Sequence, residues 1–250
     1  MRIATYNIAH GADYTRYGEV DESILPVDLK KLADVVRSLG ADVIALNEVY
    51  ERGWDEVTCH QTEKLAAMLG YPYYRFAAGA DLGFCVIGNA VLSRYPIEHA
   101  YTVPVLAPTE EERVPTENEW YEDRVILVCR LSVDGAGLTV ASTHFGLNPQ
   151  EQQRMLAGLA PVMEGEQPLV LLGDFNARPD SPMLLPLYAR MTDAAAALQR
   201  AADTFSSLVP DRRIDYIFLS DALQPKSFET KSVICSDHLP IVCDIEIKQQ

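Results

Sequence analysis

The sequence twice repeats one order of elements: a short apolar run, an amphipathic stretch and a second apolar run. In the first unit the apolar runs are residues 3–8 and 42–46, and Leu32 and Val36 lie between them at helical spacing. A proline before this stretch and Gly40 after it are the usual boundaries of a helix. The unit therefore predicts two strands connected by a helix.

The second unit has predicted strands at 138–143 and 169–172 on either side of a helix at 149–163. Right-handed crossovers keep the two strands of such a unit parallel. The polar residues at the strand ends then meet at one edge of a sheet, where open α/β sheets usually bind ligands. Further predicted strands, which we expect to pair antiparallel, are 83–93 with a turn at Gly88 and Asn89, 124–133, 214–219 and 241–247.

No linker rich in proline or serine divides the chain, so we expect a single domain over residues 1–250. Strands predominate and helices are interleaved, which favours an α/β (α+β) fold of two mixed sheets packed face to face with helices outside. Residues 108–123 are acidic and lack periodicity, and we interpret them as a surface loop that follows no regular pattern.

The chain is acidic, with 36 Asp and Glu against 21 Lys and Arg and a formal net charge of −15. This excess of negative charge disfavours non-specific binding to a polyanion such as duplex DNA. We expect no membrane association, because the amino terminus has no secretory pattern and no apolar run approaches the ~18 residues of a membrane span. Five scattered cysteines without a C-x-x-C pair are typical of buried thiols, so we expect a cytoplasmic protein.

Polar side chains follow several of the predicted strands. Taken singly, each is explained as a turn former or a solvated residue. Together they are oxygen-rich groups converging on one sheet edge, which suits a hard cation such as Mg²⁺ or Mn²⁺ better than Zn²⁺. The residues are Asn7, Glu48, His144, Asp174, Asn176, Asp215, Asp237 and His238.

Seven short motifs, in order along the chain, resemble those of the endonuclease/exonuclease/phosphatase superfamily, whose fold is that of deoxyribonuclease I. The most specific are 173–176 (Gly-Asp-Phe-Asn) and 236–240 (Ser-Asp-His-Leu-Pro). The resemblance implies a four-layer α/β/β/α sandwich and metal-dependent cleavage of a phosphoester. The other five motifs are 5–7, 46–49, 93–96, 142–145 and 213–217.

The resemblance also implies roles for individual residues. Glu48 matches the principal metal carboxylate, with Asn7 and Asp237 close to the metal or its waters. Asp174 matches the residue that orients or deprotonates the attacking water, and Asn176 a donor to a phosphate oxygen. His238 matches the histidine that stabilises charge on phosphorus, Asp215 the carboxylate that orients it, and His144 a second histidine of the active site.

Three further residues are candidates for substrate contact: Arg94, Arg124 and His10. A guanidinium suits phosphate well, but at such positions it is as often solvated or paired with an acid. His10 is equally well explained as a turn residue before Gly11. One departure from the family pattern is Asn47, which stands where the family often has glutamine.

We expect a metal-dependent phosphodiesterase or phosphatase acting on a small or soluble phosphoester. A DNA endonuclease or exonuclease of the same superfamily is the alternative, and a non-catalytic binding protein on this fold is a further one. Specificity is expected in loops, where aromatic residues either stack on a substrate or pack against the sheet edge. The loops are 11–23, 50–59 and 108–123, and we expect packing for most of their aromatics.

Overall fold

The first predicted strand–helix–strand unit is formed by β1 (Arg2–Asn7), α1 (Leu29–Leu39) and β2 (Val43–Arg52), and β1 pairs parallel to β2. The side chain of Asp28 accepts a hydrogen bond from the backbone N–H of Lys31 and begins the helix. Gly40 ends it with a φ of +61°, a conformation that glycine adopts readily. The structure is a computed structural model, and it describes residues 1–21, 24–116, 118–200 and 203–248.

In the described residues, β1 and β2 belong to a mixed sheet of six strands. Its other members are β3 (Tyr73–Asp81), β4 (Val86–Ser93), β11 (Leu223–Thr230) and β12 (Ile241–Ile247), in the order β11-β12-β1-β2-β4-β3. On its outer face lie α1 and α2 (Gln61–Leu69).

The second sheet also has six strands within the described residues, in the order β5-β6-β7-β8-β10-β9. The second predicted unit supplies its parallel pair, β7 and β8, with α3 on the outer face. The elements are β5 (Ile97–Val105), β6 (Arg124–Val133), β7 (Ala136–His144), α3 (Pro149–Glu164), β8 (Leu169–Asp174), α4 (Leu185–Tyr188), β9 (Thr192–Asp193), α5 (Ala194–Ala197) and β10 (Asp215–Leu219).

The two sheets pack face to face, and the apolar residues between them come from both. Val43 and Ala45 on β2 lie in the same buried cluster as Leu127 on β6 and Val140 on β7. The helices cover the two outer faces, as with Leu32 of α1. This arrangement confirms the predicted α/β/β/α sandwich of two mixed sheets.

Several expected boundaries were wrong. Strand β2 does not end before Asn47 and Glu48 but continues to Arg52, with an irregularity in its pairing to β4 between Leu46 and Val49. Gly88 and Asn89 form no turn and lie inside β4. A turn precedes that strand instead, where Gly83 has a φ of +83°. The sequence interpretation also lacked β3, β5, β9, β11, α2, α4 and α5.

The expectations for the loop at 108–123 and for the cysteines agree with the structure. In the described part of the loop at 108–123 there is no helix or strand. Four of the five cysteines are buried, and Cys59 is partly buried. Among the helices that the structure describes, none is long and apolar enough to cross a membrane.

Candidate active site

Most of the residues predicted for the site lie at one edge of both sheets. Asn7, His144 and Asp174 are the last residues of β1, β7 and β8, and Asp215 is the first of β10. Because β7, β8 and β10 are neighbours, Asp174 pairs with His144 on one side and Asp215 on the other. They border a cleft lined by His10, Glu48, Tyr50, Ile87, Trp120, Glu122, Arg124, His144, Leu147, Asp174, Asn176, Phe205, Asp237 and His238.

Glu48 lies on the irregular part of β2 and has a φ of +56°, an uncommon conformation for a residue other than glycine. Such strain concentrates at functional sites. Its side chain is 28% exposed, and its Oε1 accepts a hydrogen bond of 2.9 Å from Asn7 Nδ2. Burial in the cleft is the main cause that raises the pKa of Glu48 to about 7, and repulsion from the Asp237 carboxylate is the second.

Asp174 is 1% exposed and lies between the other groups of the site. Its Oδ2 accepts from Asn7 Nδ2 at 3.1 Å and lies 3.5 Å from the Nε2 atoms of both His144 and His238. Its Oδ1 accepts from the backbone N–H of Asn176 at 2.9 Å. Burial raises the pKa of Asp174 to about 6.

His238 forms a buried pair with Asp215, with 2.8 Å between His238 Nδ1 and Asp215 Oδ2. Burial alone would favour the neutral ring, but the carboxylates of Asp215 and Asp174 outweigh it and raise the pKa of His238 to about 10. The ring is therefore cationic near neutral pH, and its Nε2 is directed towards Asp174.

His144 has the opposite electrostatic environment. Burial, together with the positive charge of Arg124, lowers the pKa of His144 well below its usual value. Arg124 Nη1 donates to His144 Nδ1 at 2.8 Å, and Arg124 Nη2 lies 2.7 Å from Glu122 Oε1. Of these two histidines, His144 is therefore neutral and His238 is cationic near neutral pH.

Asn176 and His10 are also placed at the cleft. Asn176 Nδ2 donates to the carbonyl of Phe145 at 2.9 Å and lies 3.4 Å from His144 Nε2. The ring of His10 stacks on Tyr50 with centroids 4.8 Å apart and an interplanar angle of 11°. Burial lowers the pKa of His10 to about 4, so this ring is neutral at physiological pH.

The prediction of a substrate contact for Arg94 was wrong, because Arg94 lies at the opposite edge of the sheet. It follows β4, whose end pairs with the beginning of β2 at Val43. Its Nε donates to the carbonyl of Ala41 at 3.4 Å, and its guanidinium lies over the ring of Tyr71. Arg94 therefore packs where β2 begins, whereas the cleft adjoins the later part of that strand.

Asn47, noted in the sequence only as a departure, proves to be a bridge between the sheets. Its Nδ2 donates to Asn89 Oδ1 at 2.7 Å and to the carbonyl of Thr143 at 2.9 Å, and its Oδ1 accepts from the backbone N–H of Asp174. Asn89 in turn donates to the carbonyl of Val125 at 2.8 Å. Sequence reasoning missed Asn89 because it assigned that residue to a turn.

Glycine at 173 permits the close approach of β8 to its neighbour. Gly173 has a φ of +142°, and a Cβ there would lie 1.9 Å from the carbonyl oxygen of Thr143. A side chain at this position would therefore displace the strand that ends in Asp174.

The donor set fits a hard divalent cation. Glu48, Asp174 and Asp237 all line the cleft, and burial raises the pKa of each. Repulsion from Asp237 and Asp174 adds to the rise at Glu48. A cation between them would relieve that repulsion. Asn7 presents Nδ2 to the carboxylates, and its Oδ1 accepts from the backbone N–H of Ala9, so in this arrangement Asn7 orients carboxylates and does not face them with a ligand oxygen.

Another grouping of potential ligand atoms comprises Asp174, Asp215 and His238, which lie within 4.8 Å of one another. It is the poorer cation site, because a protonated imidazole has no lone pair for a metal and Asp215 is already bonded to His238. The raised pKa of His238 keeps this ring protonated.

Comparison with protein families gives one match over nearly the whole chain. The model of the endonuclease/exonuclease/phosphatase family matches residues 4–238. Among curated proteins, the uncharacterized protein YbhP of Escherichia coli (strain K12) is 29% identical over 267 residues, covering 99% of this chain and 96% of YbhP.

Solved structures share the fold. An endonuclease/exonuclease/phosphatase from Beutenbergia cavernae DSM 12333 superposes with a TM-score of 0.77 and 26% identity, over 99% of this chain and 71% of that one. A mannosyl-6-phosphatase from Bacteroides thetaiotaomicron VPI-5482 has a TM-score of 0.69 and 16% identity, over 99% of this chain and all of that one. The second likeness shows the fold alone.

Proposed function

The chain belongs to the endonuclease/exonuclease/phosphatase family, and we propose that it is a divalent-metal-dependent hydrolase that cleaves a small phosphoester by attack of water. The observation that carries this proposal is the meeting of Glu48, Asp174 and the cationic His238 in one cleft. Phosphoester hydrolysis depends chiefly on positioning and on electrostatic stabilisation, and these residues supply both.

Asp174 is the proposed base for the attacking water. Its raised pKa, about 6, leaves it mostly ionised at neutral pH yet able to take up a proton. Asn7 and the backbone N–H of Asn176 hold the two oxygens of its carboxylate. His238, held by Asp215, directs a positive N–H into the cleft, where it would stabilise charge developing on the phosphate.

Glu48 and Asp237 are the proposed ligands of Mg²⁺ or Mn²⁺, with Asn7 orienting Glu48. A bound divalent cation supplies Lewis acidity and neutralises charge on the phosphate oxygens. Ser236 Oγ donates to Asp237 Oδ1 at 2.9 Å and holds that carboxylate at the cleft.

His144, Asn176 and Arg124 are the proposed phosphate contacts. Neutral His144 and the amide of Asn176 offer uncharged donors, and Arg124 offers a guanidinium. Arg124 is already paired with Glu122, so its positive charge is partly offset. His10 is proposed as a substrate contact through its ring face and not through charge.

The proposed substrate is small. The net charge of −15 and the acidic cleft oppose the approach of a long polyanion, which disfavours the DNA nuclease alternative. The mannosyl-6-phosphatase of the same fold is a phosphatase by its name, which is compatible with a phosphoester substrate.

Hydrolysis of p-nitrophenyl phosphate, bis-p-nitrophenyl phosphate and plasmid DNA tests the proposal. Protein stripped of metal should be inactive, and added Mg²⁺ or Mn²⁺ should restore hydrolysis of a p-nitrophenyl ester. We expect Asp174→Asn and His238→Ala to lower kcat by at least 10²-fold, because acid–base and electrostatic groups typically contribute 10²–10⁴-fold. Absence of hydrolysis of all three compounds under every metal would contradict the proposal.

A further inference from the structure

Aromatic side chains from separate parts of the chain line or adjoin the cleft. Trp120, which lies in the segment between β5 and β6, lines it directly and is 56% exposed. On β2, Tyr50 lines it and stacks on His10, and Trp54 packs edge-on against Tyr50 with centroids 5.6 Å apart. Trp54 is 58% exposed. The sequence analysis expected packing for most of the loop aromatics, and these two tryptophans are exceptions because more than half of each is exposed.

Trp120 is held in place although its ring is exposed. Its backbone N–H donates to Asn118 Oδ1, and its carbonyl accepts from Nδ2 of Asn148, a residue that is 1% exposed. The indole N–H donates to Glu122 Oε2 at 3.3 Å. Glu122 also pairs with Arg124, so Glu122 links the indole of Trp120 to a residue that lines the cleft.

An indole that is held in place and exposed to water raises the free energy of the unliganded protein, and a ligand that covers the ring removes that cost. Large apolar surface in water is unfavourable by roughly 25 cal/mol per Å², and a planar ring stacked on the indole would cover it. Preorganisation also lowers the entropy lost on binding. Stacking on an aromatic side chain needs no particular hydrogen-bonding pattern, only a flat face.

The charges of the cleft limit the charge that a ligand can carry outside its one phosphate. Its lining carries the carboxylates of Glu48, Glu122, Asp174 and Asp237, and the guanidinium it includes, that of Arg124, is already paired. A cation held by Glu48 and Asp237, as proposed above, would offset the charge of one phosphate. Additional phosphate groups would meet these acids, so the remainder of the ligand should be uncharged.

We propose that Trp120 and the His10–Tyr50–Trp54 group form a ring-binding subsite, and that the substrate is the ester of one phosphate with an uncharged alcohol that carries a planar ring. The inference rests on the proposed phosphoesterase function and names the substrate class of the same cleft. Nucleoside monophosphates and aryl phosphates share this chemistry, whereas sugar phosphates lack the ring.

The sequence contains two tryptophans, Trp54 and Trp120, so intrinsic fluorescence excited near the red edge of indole absorption reports on this subsite alone. Four probes are titrated into the Asp174→Asn variant with Mg²⁺: phenyl phosphate, adenosine 5′-monophosphate, ribose 5-phosphate and glucose 6-phosphate. The variant is used because slow turnover permits equilibrium binding. The kcat/KM values of the wild-type protein for the same compounds provide a second readout.

We expect the two ring compounds to quench the indole emission and to bind at least tenfold more tightly than the two sugar phosphates. Trp120→Leu should reduce that preference to about twofold, and Trp54→Leu should reduce it less, because Trp54 adjoins the lining through Tyr50. The control Tyr73→Ala should leave it unchanged, since Tyr73 is an exposed aromatic paired with Ser93 at the opposite edge of the sheet. The ratio between the two ring compounds distinguishes a nucleoside from an aryl alcohol.

Equal binding of all four compounds without any change in emission would overturn the ring subsite and leave the proposed hydrolase intact. Emission that responds to phosphatidylcholine vesicles and to none of the four compounds would identify a lipid-contact surface and overturn it too. If the sugar phosphates are hydrolysed with a kcat/KM equal to or above that of the ring compounds, the ring subsite fails alone. If nothing is hydrolysed, the proposed function and this inference both fail.

Discussion

The two histidines at the floor of the cleft show how neighbouring groups decide the protonation of one residue type. His238 contacts two carboxylates and has a pKa raised to about 10, whereas His144 contacts Arg124 and has a lowered pKa. The motifs predicted that both belong to the site. They did not predict opposite charge states, because the partner of His144 is Arg124, twenty residues away and on another strand.

His10 gives a pH prediction at the scale of one residue. Its pKa is about 4 in the folded protein against 6.5 in a model peptide, so protonation favours the unfolded chain. The neutral His10 ring makes its full contribution to the free energy of unfolding above about pH 6.5. That contribution decreases as the pH falls from 6.5 through 4, by up to about 3 kcal/mol in all. The melting temperature of His10→Phe, which keeps an aromatic ring on Tyr50, should therefore fall less than that of the wild type between pH 7 and pH 4.5. An equal fall of the melting temperature in the wild type and in His10→Phe would contradict this.

At the scale of elements, the helical and strand periodicities predicted both parallel units, and the polar ends of β1, β7 and β8. They could not predict the bulge at Glu48, because Val43–Arg52 is one continuous strand whose irregularity arises from pairing with β4. Strands such as β3 and β5 lie at sheet edges with many exposed residues, so the apolar alternation on which prediction relies is weak. Arg94 was misassigned because sequence position does not show which edge a strand end faces.

The Asn47 bridge between the sheets supports a second prediction. Asn47→Leu leaves the backbone N–H of Asp174 and the amide of Asn89 without this partner, so we expect unfolding by urea to show a loss of about 2 kcal/mol or more. Asn89→Leu removes the same hydrogen bond from the other side. The loss in the double variant should be at least about 0.5 kcal/mol smaller than the sum of the single losses. Additive losses would show that the two amides do not act together.

At the scale of the whole molecule, the charge of −15 divides into two parts. Glu48, Asp174, Asp215 and Asp237 lie at the site, where the proposed cation and His238 offset part of their repulsion. The remainder is spread over the surface, including exposed acids of the segment at 108–123. The motifs located the first group in the sequence, because these motif residues are themselves acidic.

The surface charge leads to a prediction about nucleic acid. At 150 mM salt we expect a fluorescent 20-base-pair duplex to bind more weakly than about 100 µM, the weak end of ordinary non-specific binding. Anisotropy titrations at 50 and 150 mM salt measure this. Binding at 10 µM or tighter, with a steep salt dependence, would contradict the assignment to small substrates.

Glu48 is the proposed ligand of a catalytic divalent cation in the cleft, and calorimetric titration of the apoprotein with Mn²⁺ measures that role. Glu122→Gln is the matched control, because Glu122 lines the same cleft but pairs with Arg124. We predict that Glu48→Gln weakens Mn²⁺ binding at least tenfold and abolishes Mn²⁺-dependent hydrolysis, whereas Glu122→Gln changes the affinity by less than about threefold. Equal Mn²⁺ affinity in the wild type and Glu48→Gln would contradict the assignment of Glu48 as a metal ligand.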